Sequence, residues 1–201
     1  MADREVLMTP YSRLSFPNLG KPRAFRNGDA KYGAAFLVPK PENIGKTRED
    51  GKPFSPWGKK DRHSLSALEA AVAEVVKAEY GANPPKKLKL PFKDGDEENW
   101  DGYEGHLFIR TTSVRPPKLI DQNRNEVTGA DIEKMFYAGC WVRAAVNPFT
   151  YDNSGNKGVS FGLQLVQFIR NDVPFSGSVR IDQIDELPEE DIAPDDLDDL
   201  S

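Results

Sequence analysis

Five segments of this chain alternate apolar residues with polar or small ones, and this pattern limits the fold more than any other feature of the sequence. A period of two places successive side chains on opposite sides of a β-strand, whereas a helix has a period of about 3.6 residues. The alternating segments are residues 11–16, 31–38, 104–114, 139–149 and 159–170. Because each has one apolar side, these strands have to bury that side together, and the sequence predicts a mainly β fold.

Two segments have the spacing of helices instead. Residues 61–80 carry apolar residues at intervals of three and four, and Gly81 is a natural stop. A shorter helix is predicted from Asp131 to Phe136, with Thr128 as its cap. The residues that could cap the beginning of the longer helix are Asp61, Ser64 and Ser66.

The order of these elements favours one architecture. Two strands are followed by an insertion at about residues 42–100 that contains the longer helix, then by a strand, the short helix, a strand, a hairpin and the last strand. Five strands with a helix between the third and fourth is the arrangement of an OB fold, a partly open Greek-key barrel that binds oligonucleotides. We therefore predict a five-stranded OB-fold barrel within residues 1–180, although a small β-sandwich could have the same number of strands.

Two of the strands carry an aromatic ring and a cation on the side opposite their apolar residues. Trp141 and Arg143 share that side in one strand, and Phe108 and Arg110 repeat the pattern in another. A ring can stack on an unpaired base while a guanidinium holds the neighbouring phosphate. The alternative is a half-covered surface pair of the kind that many strands carry. Since two strands agree, we interpret this side as a nucleic-acid-binding face.

The charge of the chain is divided between a basic body and an acidic end. Residues 181–201 contain ten acidic and no basic residues, so residues 1–180 hold all 27 Lys and Arg against 22 of the 32 Asp and Glu. A segment with so many charges buries too little apolar surface to compensate for the conformational entropy that it would lose on folding. We therefore expect a disordered tail. Solubility could be its only role. It could also mimic nucleic acid and occupy the basic groove at low salt, in which case deleting residues 181–201 should tighten DNA binding.

Other classes of protein are disfavoured by what the sequence lacks. The single cysteine, Cys140, excludes a disulfide framework within the chain and suits a reducing compartment. No apolar run approaches the ~20 residues that span a bilayer, so we expect a soluble, cytoplasmic protein without membrane contact. The absence of a Gly-rich phosphate loop, a Cys-x-x-Cys and a His-Glu-x-x-His predicts no catalytic residue, no metal and no cofactor. A carboxylate nuclease and a protein-binding module with a basic face remain as alternatives.

Several segments are distinctive in combination. They are YGAAFLVPK near the start and, between Gly102 and Gly177, GYEGHLFIR, RPPKLID, FYAGCWVRAAVNPF and GVSFGLQLVQF. Together they resemble the bacteriophage single-stranded DNA-binding proteins of a family long known only as a domain of unknown function, and the resemblance covers most of residues 11–177. It implies an OB fold, binding of single-stranded DNA without strong sequence preference, and a role in phage replication or recombination inside an infected bacterial cell. It also implies an acidic tail that recruits phage or host replication proteins and competes with DNA. A strand-annealing role and a homo-oligomer are both compatible with this resemblance.

We assign eleven residues to DNA binding. The rings expected to stack on bases are Trp141, Phe108, Phe149 and Tyr151, with Tyr32 and Trp57 as weaker candidates that could equally serve packing. The cations expected to contact phosphates are Arg143, Arg110, Arg115, Lys118 and Lys157. Replacing Trp141 and Arg143 with Ala is expected to weaken DNA binding and to leave the thermal melt nearly unchanged.

Overall fold

The computed structural model describes residues 6–24, 28–60 and 64–175, which form a mainly β structure, as predicted. The strands are β1 (Ser12–Arg23), β2 (Lys31–Pro39), β3 (Phe92–Asp94), β4 (His106–Ser113), β5 (Lys118–Ile120), β6 (Trp141–Asn153) and β7 (Asn156–Arg170). The α-helices are α1 (Leu65–Tyr80) and α2 (Asp131–Met135), and short 3-10 helices span Pro41–Asn43, Gly58–Lys60 and Gly95–Glu97. The predicted tail, residues 181–201, lies outside the described residues.

All seven strands belong to one sheet, in the order β3-β4-β2-β1-β6-β7-β5. Strand β4 also pairs with β7, so that β4, β2, β1, β6 and β7 form a closed ring of paired strands. The pairs β4–β7 and β5–β7 are parallel, and the other pairs are antiparallel. A closed ring gives every strand an inner face and an outer face, and the five ring strands correspond to the five segments that alternate in the sequence.

The inner face holds the main hydrophobic core. Cys140 lies in this core, and burial raises the pKa of its thiol to about 12, so it stays neutral at physiological pH. Strands from all sides of the ring contribute to the core. Its fully buried members include Leu14, Phe36, Val142, Phe161 and Val166.

Helix α1 packs against this core and has the caps that its sequence suggests. The side chain of Ser64 accepts a hydrogen bond from the backbone N–H of Ala67 at 3.3 Å, and Gly81 ends the helix with a φ of +62°. Leu68 and Val72 are its buried residues. The first three residues of the predicted helix, 61–63, lie outside the described part of the chain.

Three local predictions are wrong. Helix α2 is capped by Ala130 without a side-chain hydrogen bond, so Thr128 is not its cap. Strands β3 and β5 lie in segments that the sequence presents as a linker and a turn-rich loop. Each of them has only three residues, which is too short for a period of two to be recognised.

Phe16 departs from the alternation of β1. The sequence places Phe16 on the same side as Leu14, yet Leu14 is fully buried and Phe16 is 52% exposed. The pairing of β1 with β2 shifts after Ser15, and the backbone of Phe16 has a φ of +45°. This bulge turns the ring from the inner to the outer face.

A second layer of chain, which includes Arg48, Trp57, Tyr103 and Phe175, covers part of the outer face. One row of cross-strand partners runs across the sheet through Trp141, Arg13, Leu37 and Phe108, and all four are buried. A separate hydrophobic cluster lies on this side of the sheet. Its members are Ala35, Leu37, Tyr103 and Phe108, with Phe175 packed against them. The outer face is therefore closed along this row.

Candidate nucleic-acid interface

Trp141 lies on the outer face as predicted, but its ring is inaccessible. The indole is 0% exposed, and its Nε1 donates a hydrogen bond of 2.7 Å to Oδ2 of Asp172. Its ring centroid lies 5.1 Å from that of Trp57 in an edge contact, and Trp57 stacks on Tyr11 at 4.2 Å. The prediction of an open stacking ring at Trp141 is wrong, because the second layer seals the indole. Trp57 is half-buried in the same stack, where it serves packing.

Asp172 fastens the second layer to the sheet. Its carboxylate lies 2.9 Å from Arg48 and from Lys52 and 3.8 Å from Nε of Arg13, and its side chain is only 4% exposed. Burial alone would raise the pKa of this carboxyl. Hydrogen bonds from Lys52, the Val173 backbone N–H and Arg48 outweigh burial and hold the pKa well below its usual range. Asp172 is therefore charged at neutral pH and joins three cations.

Arg13 binds the segment that follows β7. Its Nε donates to the carbonyl of Gly139 at 3.1 Å, and its Nη2 donates to the carbonyl of Val173. Its guanidinium lies 4.2 Å from the ring centroid of Phe175, and a Cβ added at Gly102 would collide with the same ring. Burial lowers the pKa of Arg13 to about 10, so the group stays charged at neutral pH. Arg13 is thus a structural cation and not a free phosphate ligand.

The second predicted ring, Phe108, is also sealed. It is 0% exposed and meets Tyr103 edge-on at 4.9 Å, so the prediction that Phe108 offers a ring to DNA is wrong. Arg110, two residues further along β4, is exposed as predicted. Its guanidinium lies 5.1 Å from the ring centroid of Trp100 and 5.5 Å from that of Phe108. Cation–π contacts of this kind orient the guanidinium and leave its N–H groups free to donate.

Beyond Arg110 the outer face is open and continues onto the hairpin of β6 and β7. Thr112, on the same side of β4 as Arg110, pairs with Gly162 of β7, which in turn pairs with Asn147 of β6. Phe149 and Tyr151 follow Asn147 at intervals of two, so they share its face. Phe149 is 38% exposed, and Tyr151 lies over Gly158. The structure thus brings Arg110, Phe149 and Tyr151 onto one face of β4 and β6, the two strands that flank β7.

Lys157 does not join this group. It pairs with Asp152 across the hairpin, with 3.3 Å between Nζ and Oδ2, and lies 6.0 Å from the ring of Tyr80 in α1. Since Asp152 is one residue from Tyr151, this pair lies on the opposite side of the hairpin.

The remaining predicted residues are dispersed. Arg143 is half-buried on the outer face, and its Nε donates to Gln167 at 2.8 Å, near β5. Arg115 and Lys118 are exposed in the β4–β5 connection and in β5. Tyr32 shares the side of Ala34, an inner-face residue, and is half-buried.

Two exposed rings that the sequence did not single out lie beside Arg110. Phe16 is 52% exposed and Trp100 is 37% exposed, and their ring centroids lie 5.3 Å apart. The one local signal for Phe16 is the proline that follows it, since Pro17 disturbs the pairing of a strand. Trp100 was missed because the acidic residues around it make its segment resemble a linker.

A cavity of about 1050 Å³ lies at the edge of the covered region, and its lining includes Arg48, His106 and Phe175. His106 is 1% exposed, and its Nδ1 lies 2.8 Å from the carbonyl of Glu104. Burial lowers the pKa of His106 to about 4, so the ring is neutral at pH 7.

In the described part of the chain no three His, Cys, Asp or Glu residues are grouped so as to hold a metal ion. No helix among residues 6–24, 28–60 and 64–175 has the length and apolar character needed to cross a membrane.

Several solved structures of bacteriophage proteins have a similar fold. The single-stranded DNA-binding protein of bacteriophage Enc34, in complex with ssDNA, superimposes with a TM-score of 0.65 at 23% identity, covering 84% of this chain and 88% of that chain. The same protein in another structure gives 0.62 at 25% identity, covering 86% of each chain. The single-stranded DNA-binding protein gp2.5 of bacteriophage T7 gives 0.53 at 14% identity, covering 89% of this chain and 92% of that chain, which is a likeness of fold alone.

Sequence comparisons agree with the structural ones. Protein p50 of Acyrthosiphon pisum secondary endosymbiont phage 1 is 34% identical over 187 residues, covering 87% of this chain and 90% of that protein. The family model described as the ssDNA-binding protein of Enterobacter phage Enc34 matches residues 57–197. This match spans well over half of the chain, and the chain therefore belongs to the family of the Enterobacter phage Enc34 ssDNA-binding protein.

Proposed function

We propose that this protein binds single-stranded DNA, without strong sequence preference, on the open part of the outer face. The observation that carries the proposal is the common face of Arg110, Phe149 and Tyr151, a cation and two aromatic side chains on the two strands that flank β7 in a closed ring. Membership of a family named for its ssDNA-binding protein supports the same function.

We also assign the ring to the OB fold. Its five strands, with α2 between β4 and β6, fit the five-stranded barrel whose strands and hairpin loops bind oligonucleotides. In this assignment β3 and β5 are additions at the two ends of the sheet, and residues 42–100 form an insertion between the second and third barrel strands. The DNA-binding domain is residues 1–180.

Binding would combine stacking with phosphate contacts. A base stacked on Phe149 or Tyr151 gains about 1–3 kcal/mol whatever its identity, because every base has a π-face. Arg110, Arg115 and Lys118 are exposed cations that would neutralise phosphates and release counterions. Neither contact reads the edge of a base, so the affinity would depend little on sequence and strongly on salt.

A salt titration tests the proposal. Fluorescein-labelled oligo-dT, a matched duplex and a matched RNA are titrated with the protein at several NaCl concentrations, and anisotropy is recorded. We expect tightest binding to the single strand. Arg110→Ala should weaken binding and flatten the slope of log K against log [NaCl] by about 0.7, the value for one phosphate contact on a single strand.

Lys134→Ala is the matched control, because Lys134 lies on α2 and its side chain is 73% exposed. It removes one exposed cation away from the proposed face and should leave affinity and slope unchanged. The proposal fails if the protein does not bind oligo-dT at low salt. It also fails if Arg110→Ala and Phe149→Ala both behave like Lys134→Ala.

In the phage, this binding would protect or organise single strands during replication or recombination, in the cytoplasm of the infected cell. The role involves no catalytic step and no cofactor. The acidic residues 181–201 would contact phage or host replication proteins and compete with DNA for the basic face, since ten carboxylates there follow a body with a net positive charge. Removing these residues should then tighten binding to oligo-dT at low salt, and weaker binding by the shortened protein would contradict competition.

A further inference from the structure

We propose that Phe16 and Trp100 form a stacking site for one unpaired base of the bound strand, an inference that rests on the proposed function. The two rings lie 5.3 Å apart at an angle of 82°, and they are 52% and 37% exposed. Beside them, the guanidinium of Arg110 lies 5.1 Å from the Trp100 ring. Two accessible aromatic faces next to a cation are the parts that sequence-tolerant recognition of single strands requires.

The backbone places Phe16 on the outside against the alternation of its strand. Continued alternation from Leu14 would bury the ring in the core, but the shift in pairing after Ser15 and a φ of +45° turn it outwards. A bulky residue rarely adopts a positive φ. Strain of this kind is concentrated at sites of function, where the surrounding structure holds it in place. The strained backbone is what exposes this ring, and an outward-turned ring held in a strained conformation indicates a ligand-facing role.

Trp100 packs against two buried aromatic rings. Its ring meets Tyr103 at 5.0 Å and Phe108 at 6.4 Å, both in edge contacts, and these two rings are fully buried. The indole therefore rests on rigid core residues and keeps one part open to solvent. A platform that is ordered before binding loses little conformational entropy when a base stacks on it.

Three of the five carboxylates within four residues of Trp100 in the sequence line a different surface. Asp96, Asp101 and Glu104 line the cavity beside His106, and Phe16, Trp100 and Arg110 do not border that cavity. The phosphates of a bound strand would approach along Arg110, away from these three carboxylates. A nucleobase with its phosphate therefore fits this cluster better than an apolar peptide side chain, which would leave the guanidinium unused.

Intrinsic fluorescence gives a direct test, because the chain has three tryptophans and Trp100 is the most exposed of them. Saturating oligo-dT should quench the fluorescence of the unsubstituted protein. Trp100→Phe should remove most of this quenching and change the affinity less than threefold, since a phenyl ring still stacks. Trp57→Phe, in the half-buried stack with Tyr11, should leave the quenching in place.

Affinity gives the second readout. Trp100→Leu and Phe16→Leu remove the aromatic face but keep an apolar side chain, and each should weaken oligo-dT binding about tenfold, as the loss of one stacked base predicts. Full quenching in Trp100→Phe, or unchanged affinity in both Leu variants, would overturn this stacking site while DNA binding itself stands. Failure of the unsubstituted protein to bind oligo-dT would instead overturn the proposed function.

Discussion

Replacing Asp172 with Asn should destabilise the protein by about 3 kcal/mol, because it removes the carboxylate beside the buried Arg13 and one of the two carboxylates, Asp50 and Asp172, that pair with the buried Arg48. The side chains of Arg13 and Arg48 are 4% and 8% exposed, and both lie within 4 Å of the Asp172 carboxylate. Removing one partner of a buried ion pair typically costs about 3–5 kcal/mol. The lower end applies here because Asn keeps an oxygen that can accept the Trp141 N–H. Lys52 is 47% exposed and can turn towards water, so it adds little.

Urea unfolding of the unsubstituted protein and the Asn variant measures this loss. For a chain of this size it corresponds to a fall in Tm of about 6–12 °C. Asp131→Asn is the control, since Asp131 and its partner Lys134 are 68% and 73% exposed, and it should change stability by less than about 0.5 kcal/mol. A loss below about 1 kcal/mol at Asp172 would refute the reasoning, because the cations would then be solvated without the carboxylate.

The same carboxylate gives this difference a pH dependence. The pKa of Asp172 is lower in the folded protein than its value of about 3.9 in an unfolded chain. Its contribution to stability is therefore complete above that unfolded value and is lost as the pH falls towards the folded pKa. The difference between the two proteins should be constant from pH 5 to pH 8 and should shrink below about pH 4.

Two further outcomes follow from buried groups. Trp141→Phe should keep its affinity for oligo-dT in anisotropy titrations. Trp141→Ala should lower the free energy of unfolding in urea by about 3–5 kcal/mol. A folded Trp141→Phe protein that loses affinity would show that the indole does reach DNA. The folded pKa of His106 is about 4 and the unfolded value is 6.5, so the unfolded chain binds the extra proton and stability falls as the pH drops below 6.5. Between pH 7 and pH 5 this fall should be about 2 kcal/mol and should be absent in His106→Asn; equal falls in both proteins would assign it to other groups.

The positions of the residues predicted to bind DNA show what local sequence patterns can and cannot predict. Alternation correctly assigns Trp141 and Phe108 to the face opposite the core, and register confirms that they lie in one row. It also predicts the exposure of Arg110. Alternation describes the strand alone, however, and does not show what another part of the chain lays over it.

The sequence by itself determined the mainly β class, the five ring strands, the cap and stop of α1 and the family, since each depends on residues close together in the chain or on their identity. Only the tertiary structure decided which part of the outer face is open. The contacts that cover the rest of the outer face join residues far apart in the sequence, such as Trp141 with Asp172 and Arg13 with Val173. The alternation of residues within one strand does not predict such pairs. The outward turn of Phe16 depends likewise on a shift in the pairing of β1 with β2. Burial and strand pairing are properties of the whole chain, and they placed the open aromatic surface next to Arg110.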